Sequence, residues 1–267
     1  MTAMRRLGAR ALPHRVGPLT GLVLAAGLLV APGSAPATAT ASTAPAALGL
    51  VATASSVSRS APARPRADVP GFASAVPATT TQVVRTISSR RWCRKVSCTI
   101  TQAWQKGDSG WRLVRQFRSS IGSKGWGKTR EGDRRSPVGV YRIKVTFSTG
   151  SHAPGPMPWR RRYPTSVVTS ASGPNYNTWL EVRGVRSGDR PSMRFGWVVD
   201  YNHVRLTPGQ GAKPVPGKGS GIFYHTSKPG HRWAPTAGCT QIGNPRSMRW
   251  LVRWLRPGAD PRVVQRL

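Results

Sequence analysis

The sequence predicts a mainly β domain with a single helix over residues 83–267. Several short segments alternate β-branched or aromatic residues with polar ones, and glycine- and proline-rich stretches separate them. This alternation is typical of strands with one buried face. Only one segment shows the three- and four-residue spacing of apolar positions that predicts an amphipathic helix. The fold class therefore follows from the balance between these two periodicities.

The strand predictions begin where the composition changes at residue 83. Gly107-Asp108-Ser109-Gly110 predicts the turn of a hairpin, and the proline- and glycine-rich stretch 150–177 predicts a surface loop. The predicted strands cover 83–87, 97–104, 111–117, 140–147, 179–182, 195–201, 221–225 and 261–264.

The helix is predicted after residue 244. Asn244 suits the N-cap and Pro245 the first turn, and Gly258 is expected to end the helix. Because the helix starts five residues after Cys239, its positive end is expected to lower the thiol pKa if the loop folds back. One apolar stripe follows the helical period: Met248, Leu251, Val252 and Leu255.

The N-terminal part predicts export rather than a folded core. Residues 1–41 combine early arginines, the apolar run 19–30 and small residues that suit cleavage, which is typical of a signal peptide. An uncleaved anchor is the alternative. Residues 42–82 are rich in Ala, Ser, Thr and Pro, and they predict a disordered linker. The mature protein is thus expected to be secreted or cell-wall associated, with membrane contact only through the signal segment before cleavage.

The charge is strongly positive. The chain has 41 Lys and Arg against 8 Asp and Glu, a formal net charge of +33. Such a chain adheres to polyanions, and outside the cell these are anionic wall polymers and anionic lipid headgroups. No nucleic-acid-binding motif accompanies the charge, so no nucleic-acid partner is expected. A compositional excess of arginine on a solvated surface is the alternative.

Three cysteines are an odd number for an oxidising compartment. Cys93 and Cys98 are five residues apart and form a candidate disulfide. Cys239 is then left over, and a reactive role is expected for it. A buried inert cysteine or an intermolecular disulfide is the alternative.

His225 ends a predicted strand fourteen residues before Cys239. A histidine that activates a cysteine thiol suits nucleophilic acyl transfer. The backbone N–H groups of Gly238 and Cys239 are candidates for an oxyanion hole. Neither a metal nor a cofactor is expected, since the spacing of His225, His231 and Cys239 does not match common zinc sites.

Two other sets of polar residues suggest weaker hypotheses. Glu131 and Asp133 could suggest paired carboxylates for glycoside hydrolysis, but the glycine between them favours a turn. His203 is expected to be a turn residue.

Four blocks in order carry a resemblance: GKTREGDRRSPVGVYRI (127–143), GWVVDYN (196–202), GSGIFYH (219–225) and TAGCTQI (236–242). Together they resemble the L,D-transpeptidase catalytic domain, and most closely its exported actinobacterial branch. The resemblance covers about residues 83–267 and implies a β-sandwich-like fold with one helix packed on it.

The resemblance also implies an activity and roles for individual residues. The substrates would be peptidoglycan stem peptides, with Cys239 as the nucleophile and His225 as its activating base. Thr236 and Gln241 occupy positions of the family motif expected to contact substrate. Ala237 replaces a second motif histidine, and Gln241 stands where Arg or Asn is usual.

The sequence therefore predicts a cysteine acyltransferase that cross-links stem peptides through a Cys239 thioester. Hydrolysis of the same thioester, which would make the enzyme an L,D-carboxypeptidase, is the first alternative. A non-catalytic, polycationic wall-binding protein is the second.

Overall fold

The computed structural model describes residues 69–184 and 190–267. The predicted signal peptide, residues 1–41, and residues 42–68 of the predicted linker lie outside the described residues. Strands dominate the described part, which contains one α-helix, and the mainly β prediction is confirmed. Within these two ranges no helix has the length and apolar character that a membrane span requires.

Eleven strands and one helix follow one another along the described chain. The helix, α1, is Pro245–Trp254. The strands are β1 Gln82–Ser88, β2 Cys98–Gly107, β3 Gly110–Ser120, β4 Gly139–Ser148, β5 Trp159–Arg161, β6 Ser166–Val168, β7 Trp179–Glu181, β8 Phe195–Val199, β9 Phe223–Thr226, β10 Thr240–Ile242 and β11 Arg262–Gln265.

Nine of these strands pair in the order β11-β1-β2-β3-β10-β9-β8-β4-β5. Strand β11 also pairs with the first residues of β4, so the sheet closes on itself. One apolar cluster joins buried side chains from β1, β2, β4, β8, β9, β10 and β11 with the buried stripe of α1. The β-sandwich-like class with a single packed helix is thus confirmed, and β9 and β10 lie side by side in its sheet.

Helix α1 begins as predicted and ends earlier. The Asn244 side chain accepts the Arg246 N–H at 2.9 Å, and all four residues of the predicted stripe are fully buried. The helix ends at Trp254 rather than at Gly258. Pro257 disfavours helical geometry at the residue before it and has no N–H to donate, so a short 3₁₀ turn, Pro257–Ala259, follows instead.

The packed domain begins before residue 83. Phe72 is fully buried and lies edge-on to Trp104 and Trp111, with ring centroids 5.6 and 5.2 Å away. The Thr79 and Thr80 hydroxyls donate to the Asp260 carboxylate. The predicted linker boundary at residue 82 is therefore too late, because one aromatic anchor in an alanine- and proline-rich stretch gives little compositional signal.

Three strands have no counterpart in the sequence prediction: β5, β6 and β10. Strands β5 and β6 lie inside the predicted loop 150–177, and β10 follows the cysteine directly. Each has three residues, which is too short for an alternating pattern to be seen.

Candidate functional site

Strands β9 and β10 bring His225 and Cys239 to one cavity. The two strands are parallel neighbours, with His225 opposite Gln241. Cys239 immediately precedes β10 and lies two residues before Gln241. The Cα atoms of Cys239 and His225 are therefore about 8 Å apart, on a diagonal between the two strands. Both side chains line a cavity of about 470 Å³. The predicted pair therefore shares one face of the sheet.

Backbone contacts fix His225: its strand pairs with two neighbouring strands, and its ring contacts a backbone carbonyl. Its strand pairs with Gly196 of β8 and with Gln241 of β10. The Nδ1 atom lies 2.7 Å from the Thr226 carbonyl oxygen, which can only accept, so this contact places a proton on Nδ1. Burial lowers the His225 pKa below its ordinary 6.5, while hydrogen bonding to the Thr226 and Ser192 carbonyls opposes that shift. The imidazole is thus neutral at pH 7.

Cys239 is half-buried, and its Sγ donates to the Gly221 carbonyl at 3.6 Å. Burial raises the pKa of the thiol to about 11, against weaker opposing effects from the Phe223 backbone and the Lys128 charge. The expectation that α1 lowers this pKa is wrong. The pKa of the thiol is raised rather than lowered, and its largest cause is burial. At neutral pH the resting cysteine is a protonated thiol.

The backbone around the thiol is fixed by two hydroxyl groups. Thr236 Oγ1 donates to the Cys239 carbonyl at 2.6 Å and accepts the Gly238 N–H at 3.1 Å. Ser136 Oγ donates to the Gly238 carbonyl at 2.7 Å. Thr236 lines the cavity, but its hydroxyl is used within the loop. Its structural contacts therefore stabilise the loop that presents the cysteine.

Gly238 occupies a position that only glycine fits. Its φ is +145°, and a Cβ there would lie 2.9 Å from the Arg135 carbonyl oxygen. The Gly238 N–H is engaged by Thr236, whereas the Cys239 N–H has no backbone hydrogen bond to any residue in the described ranges. Of the two predicted oxyanion donors, Cys239 is the one with an available N–H group.

Gln241 is buried and lines the cavity opposite His225. Its Nε2 donates to the carbonyls of His231 and Arg232 at 3.1 Å each, and to that of Ala234 at 3.4 Å. Its amide nitrogen therefore holds the preceding loop in place, rather than facing a substrate.

A disulfide supports the same loop from outside. Cys93 and Cys98 are joined, with Cα atoms 5.9 Å apart. The neighbouring Trp92 packs on Trp233, ring centroid to centroid 5.1 Å. Trp233 lies so close over Gly243 that a Cβ there would be 2.1 Å from its ring. The disulfide hairpin thus contacts the loop before Cys239 through two indole rings.

Two arginines at the cavity escaped the sequence prediction. Arg162 and Arg190 line it, whereas Arg232 and Arg246, the nearest arginines in sequence to the cysteine, do not. Arg162 is 6% exposed. In the sequence, the three arginines at 160–162 form a charged cluster with no sign that one of them is buried. In the structure, Arg162 follows the end of β5 and is buried.

The remaining candidates have structural positions. His231 is exposed and does not line the cavity. In residues 69–184 and 190–267, no three His, Cys, Asp or Glu side chains are grouped as metal ligands would be. His203 ends a 3₁₀ turn with φ at +50°.

Glu131 and Asp133 form part of a turn, as expected. Glu131 accepts the Tyr176 hydroxyl at 2.7 Å. Asp133 accepts three backbone N–H groups and forms a buried ion pair with Lys128 at 3.1 Å. Burial alone would raise the Asp133 pKa, but these contacts outweigh it and lower the pKa to about 2.

Comparison with known families agrees with this site. The YkuD family model, described as the L,D-transpeptidase catalytic domain, matches residues 92–264, more than half of the chain. The chain belongs to the L,D-transpeptidase family. The match runs from the disulfide hairpin to β11 and includes both His225 and Cys239. It supports catalytic activity on peptidoglycan. No curated protein sequence matches the chain, and the actinobacterial branch stays a prediction for this L,D-transpeptidase.

Proposed function

We propose that this L,D-transpeptidase cross-links peptidoglycan stem peptides through a thioester on Cys239, with His225 as the general base. Membership of the family supports the substrate class. The single observation that carries the assignment is that Cys239 and His225, on neighbouring strand ends, line the same cavity. A nucleophile and a base on rigid elements are what acyl transfer needs.

The first half-reaction starts from two neutral groups. The Cys239 thiol leaves the Gly221 carbonyl and gives its proton to the imidazole of His225 as the sulfur attacks. The carbonyl under attack belongs to the amide bond between the third and fourth residues of the donor stem. The Cys239 N–H donates to the developing oxyanion. As the intermediate collapses, the imidazolium protonates the leaving amine of the terminal D-alanine, and the third residue stays on sulfur as a thioester.

The second half-reaction restores the thiol. The side-chain amine of a diamino acid on a neighbouring stem attacks the thioester carbonyl, and His225 accepts a proton from that amine. The C–S bond then breaks, the proton returns to sulfur, and a new amide bond links the two stems. Water in place of the amine would give a trimmed tripeptide stem and no cross-link.

The energetics of the pair favour activation only when substrate is bound. A thiol with a pKa of about 11 and an imidazole with a lowered pKa do not form a stable ion pair at pH 7. Forming thiolate and imidazolium in the empty site is therefore uphill, and the oxyanion contact supplies stabilisation in the transition state. A protonated resting thiol is also less open to oxidation outside the cell.

The cavity offers a positive charge for a donor carboxylate. The exposed side chain of Arg190 lines it. The terminal D-alanine of a donor stem carries a free carboxylate, and guanidinium groups bind carboxylates in preferred planar geometry. We assign Arg190 to the carboxylate of the leaving D-alanine.

The proposal includes export, with residues 1–41 as a cleaved signal peptide and wall association of the mature protein. N-terminal sequencing of protein recovered from outside the cell tests this part. A start near residue 42 supports it, and an intact N-terminus on membrane-bound protein contradicts it.

Product analysis tests the reaction. Purified disaccharide-tetrapeptide muropeptides are incubated with the protein and with Cys239→Ala, and the products are separated by mass. Cross-linked dimers that depend on Cys239 support the proposal. Tripeptides without dimers would make the protein a carboxypeptidase. Unchanged muropeptides would contradict the enzyme proposal and favour the non-catalytic wall-binding alternative.

A further inference from the structure

Helix α1 presents a positively charged face to solvent on the side opposite its buried stripe. Arginines recur along this side at spacings of three and four residues, and one arginine of β3 faces them across a groove of about 850 Å³. We call this set the arginine face; its members are Arg115, Arg246, Arg249, Arg253 and Arg256. All five are exposed.

Among the described residues, the arginines of the arginine face form no ion pair. No Asp or Glu is among the residues that line the groove, and α1 itself contains none. The charge of Arg256 is partly offset by backbone: its guanidinium donates to the last carbonyls of the helix, including that of Trp254 at 3.1 Å. Five like charges around one groove repel one another, and an anion lying in the groove would offset that repulsion.

Half-buried aromatic rings form the floor of the groove. Trp250 and Trp254 stack on each other, with centroids 5.6 Å apart and planes at 12°. The Arg115 guanidinium lies over the Trp250 ring at 5.1 Å. These contacts hold the arginine at the rim and cover the ring face, so the aromatic floor is rigid and already partly occupied.

A second cavity continues the positive surface along α1. It has a volume of about 780 Å³ and shares Arg249 and Arg253 with the first groove. Arg194 also lines it, and it extends to Thr226 of β9, whose side chain lies on the opposite face of the strand from His225. No acidic side chain lines this cavity either. The two arginines that the cavities share therefore stand in the middle of a continuous cationic surface.

We propose that the arginine face binds a phosphodiester-linked anionic polymer of the cell wall, which holds the enzyme beside its peptidoglycan substrate. The choice of a wall polymer rests on the proposed function, whereas the binding itself needs no Cys239. Repeated phosphates match repeated guanidinium groups, which bind phosphate in bidentate geometry. The binding site is a groove, which suits a linear chain.

The packing of α1 distinguishes this partner from two other polyanions. The apolar side of the helix is fully buried, so it has no free apolar face to enter a lipid surface. The two indole rings stack on each other and Arg115 covers one of them, which leaves little open ring surface for nucleic-acid bases. Binding of phosphate groups needs neither a free apolar face nor open aromatic rings, so it fits the arginine face.

The experiment measures binding of a fluorescently labelled oligo(glycerol phosphate) to the full chain by anisotropy. Arg249→Gln with Arg253→Gln should weaken binding about tenfold, since each exposed charge pair contributes modestly. Arg90→Gln with Arg91→Gln is the matched control, because it removes two exposed charges elsewhere and should bind like the unaltered chain. Cys239→Ala should also bind normally, and added salt should weaken binding throughout.

A second pair of substitutions, Arg115→Gln with Arg246→Gln, keeps the test valid if the first pair disturbs folding, which melting curves would show. Equal loss in the Arg90/Arg91 control would overturn the proposal, because it would show general charge attraction. Absence of binding would overturn it as well. So would tighter binding, through the same arginines, of single-stranded DNA or of phosphatidylglycerol vesicles than of the oligomer.

Discussion

The two residues of the candidate site reach the same cavity but are held in different ways. His225 lies within β9 and is fixed by backbone pairing with β8 and β10. Cys239 ends an irregular loop whose position depends on individual side-chain contacts. Ser136, distant in sequence, supplies one of them, and Thr236, Gln241 and Trp233 supply the others. The base is thus positioned by the sheet and the nucleophile by a set of separate contacts.

This difference implies that the two halves of the site respond differently to substitution. Backbone pairing is insensitive to most side-chain changes, so the position of His225 should be robust. Each side-chain contact of the cysteine loop can be removed singly, so the position of the thiol should be adjustable in steps. Substitutions of graded severity can test that contrast.

The largest effect is expected from removing the base. His225→Ala should leave the fold intact and lower the acylation rate about a thousandfold, because general-base catalysis contributes that order of magnitude. Stopped-flow acylation kinetics measure this. His203→Asn is the matched control, since Asn tolerates the positive φ of that exposed histidine. A His225→Ala enzyme as fast as the control would contradict the role of the imidazole.

The pH profile of the unaltered enzyme gives a related prediction. Burial lowers the pKa of His225 below 6.5, so the base becomes protonated only as the pH falls below that value. The acid limb of kcat/KM should therefore lie below pH 6.5. An acid limb above pH 7 would mean that some other group, or an imidazole of raised pKa, controls acylation.

The next largest effect should come from Gly238→Ala. The added Cβ would meet the Arg135 carbonyl at 2.9 Å in a backbone conformation that alanine rarely adopts, so the loop must move. A displacement of the nucleophile by about 1 Å can cost about a hundredfold in acylation. Gly230→Ala controls for backbone strain, because its φ is also positive, at +74°, but no atom lies within 4 Å. Similar losses in both variants would show that strain, and not the clash, matters.

A smaller effect is expected from Gln241→Leu, which removes the amide that binds three loop carbonyls. Faster amide hydrogen exchange in residues 228–236 and about a tenfold loss of kcat/KM should follow. Gln210→Leu, an exposed glutamine whose side chain has no such contact, should change neither. Unchanged exchange in Gln241→Leu would show that other contacts hold the loop.

The smallest effect on activity is expected from opening the disulfide. Cys93→Ser with Cys98→Ser should reduce stability by about 2 kcal/mol, the value for a short closed loop, and lower kcat/KM a few-fold. Trp92→Ala should reproduce the activity change with the disulfide intact, because the disulfide hairpin contacts the loop through Trp92 and Trp233. A full loss of activity on reduction would contradict this indirect role.

The sequence predicts the parts of this molecule that local pattern controls. The alternating strands, the Asn244 cap and the buried stripe of α1 follow from periodicity and capping, and the structure contains them. The placement of His225 in a strand is likewise local. The residue types of His225 and Cys239 indicate a base and a nucleophile. Their position on one face of the sheet follows from the parallel pairing of β9 with β10.

What escaped prediction depends on contacts between distant residues. Burial of Phe72 by two tryptophans, the inward turn of Arg162 and the use of Gln241 to hold a loop have no local signal. The sequence predicts that the neighbouring helix lowers the thiol pKa, whereas burial raises it. Burial of the thiol depends on the packing of distant segments around it, and the local sequence gives no sign of it.

The most direct test of the acyl-transfer site is the mass of the protein after incubation with a carbapenem, whose strained carbonyl acylates a nucleophilic thiol. The account predicts one covalent adduct, mapped by peptide digestion to Cys239, absent from Cys239→Ala and formed slowly by His225→Ala. An adduct that persists in Cys239→Ala, or none on the unaltered protein, would contradict it.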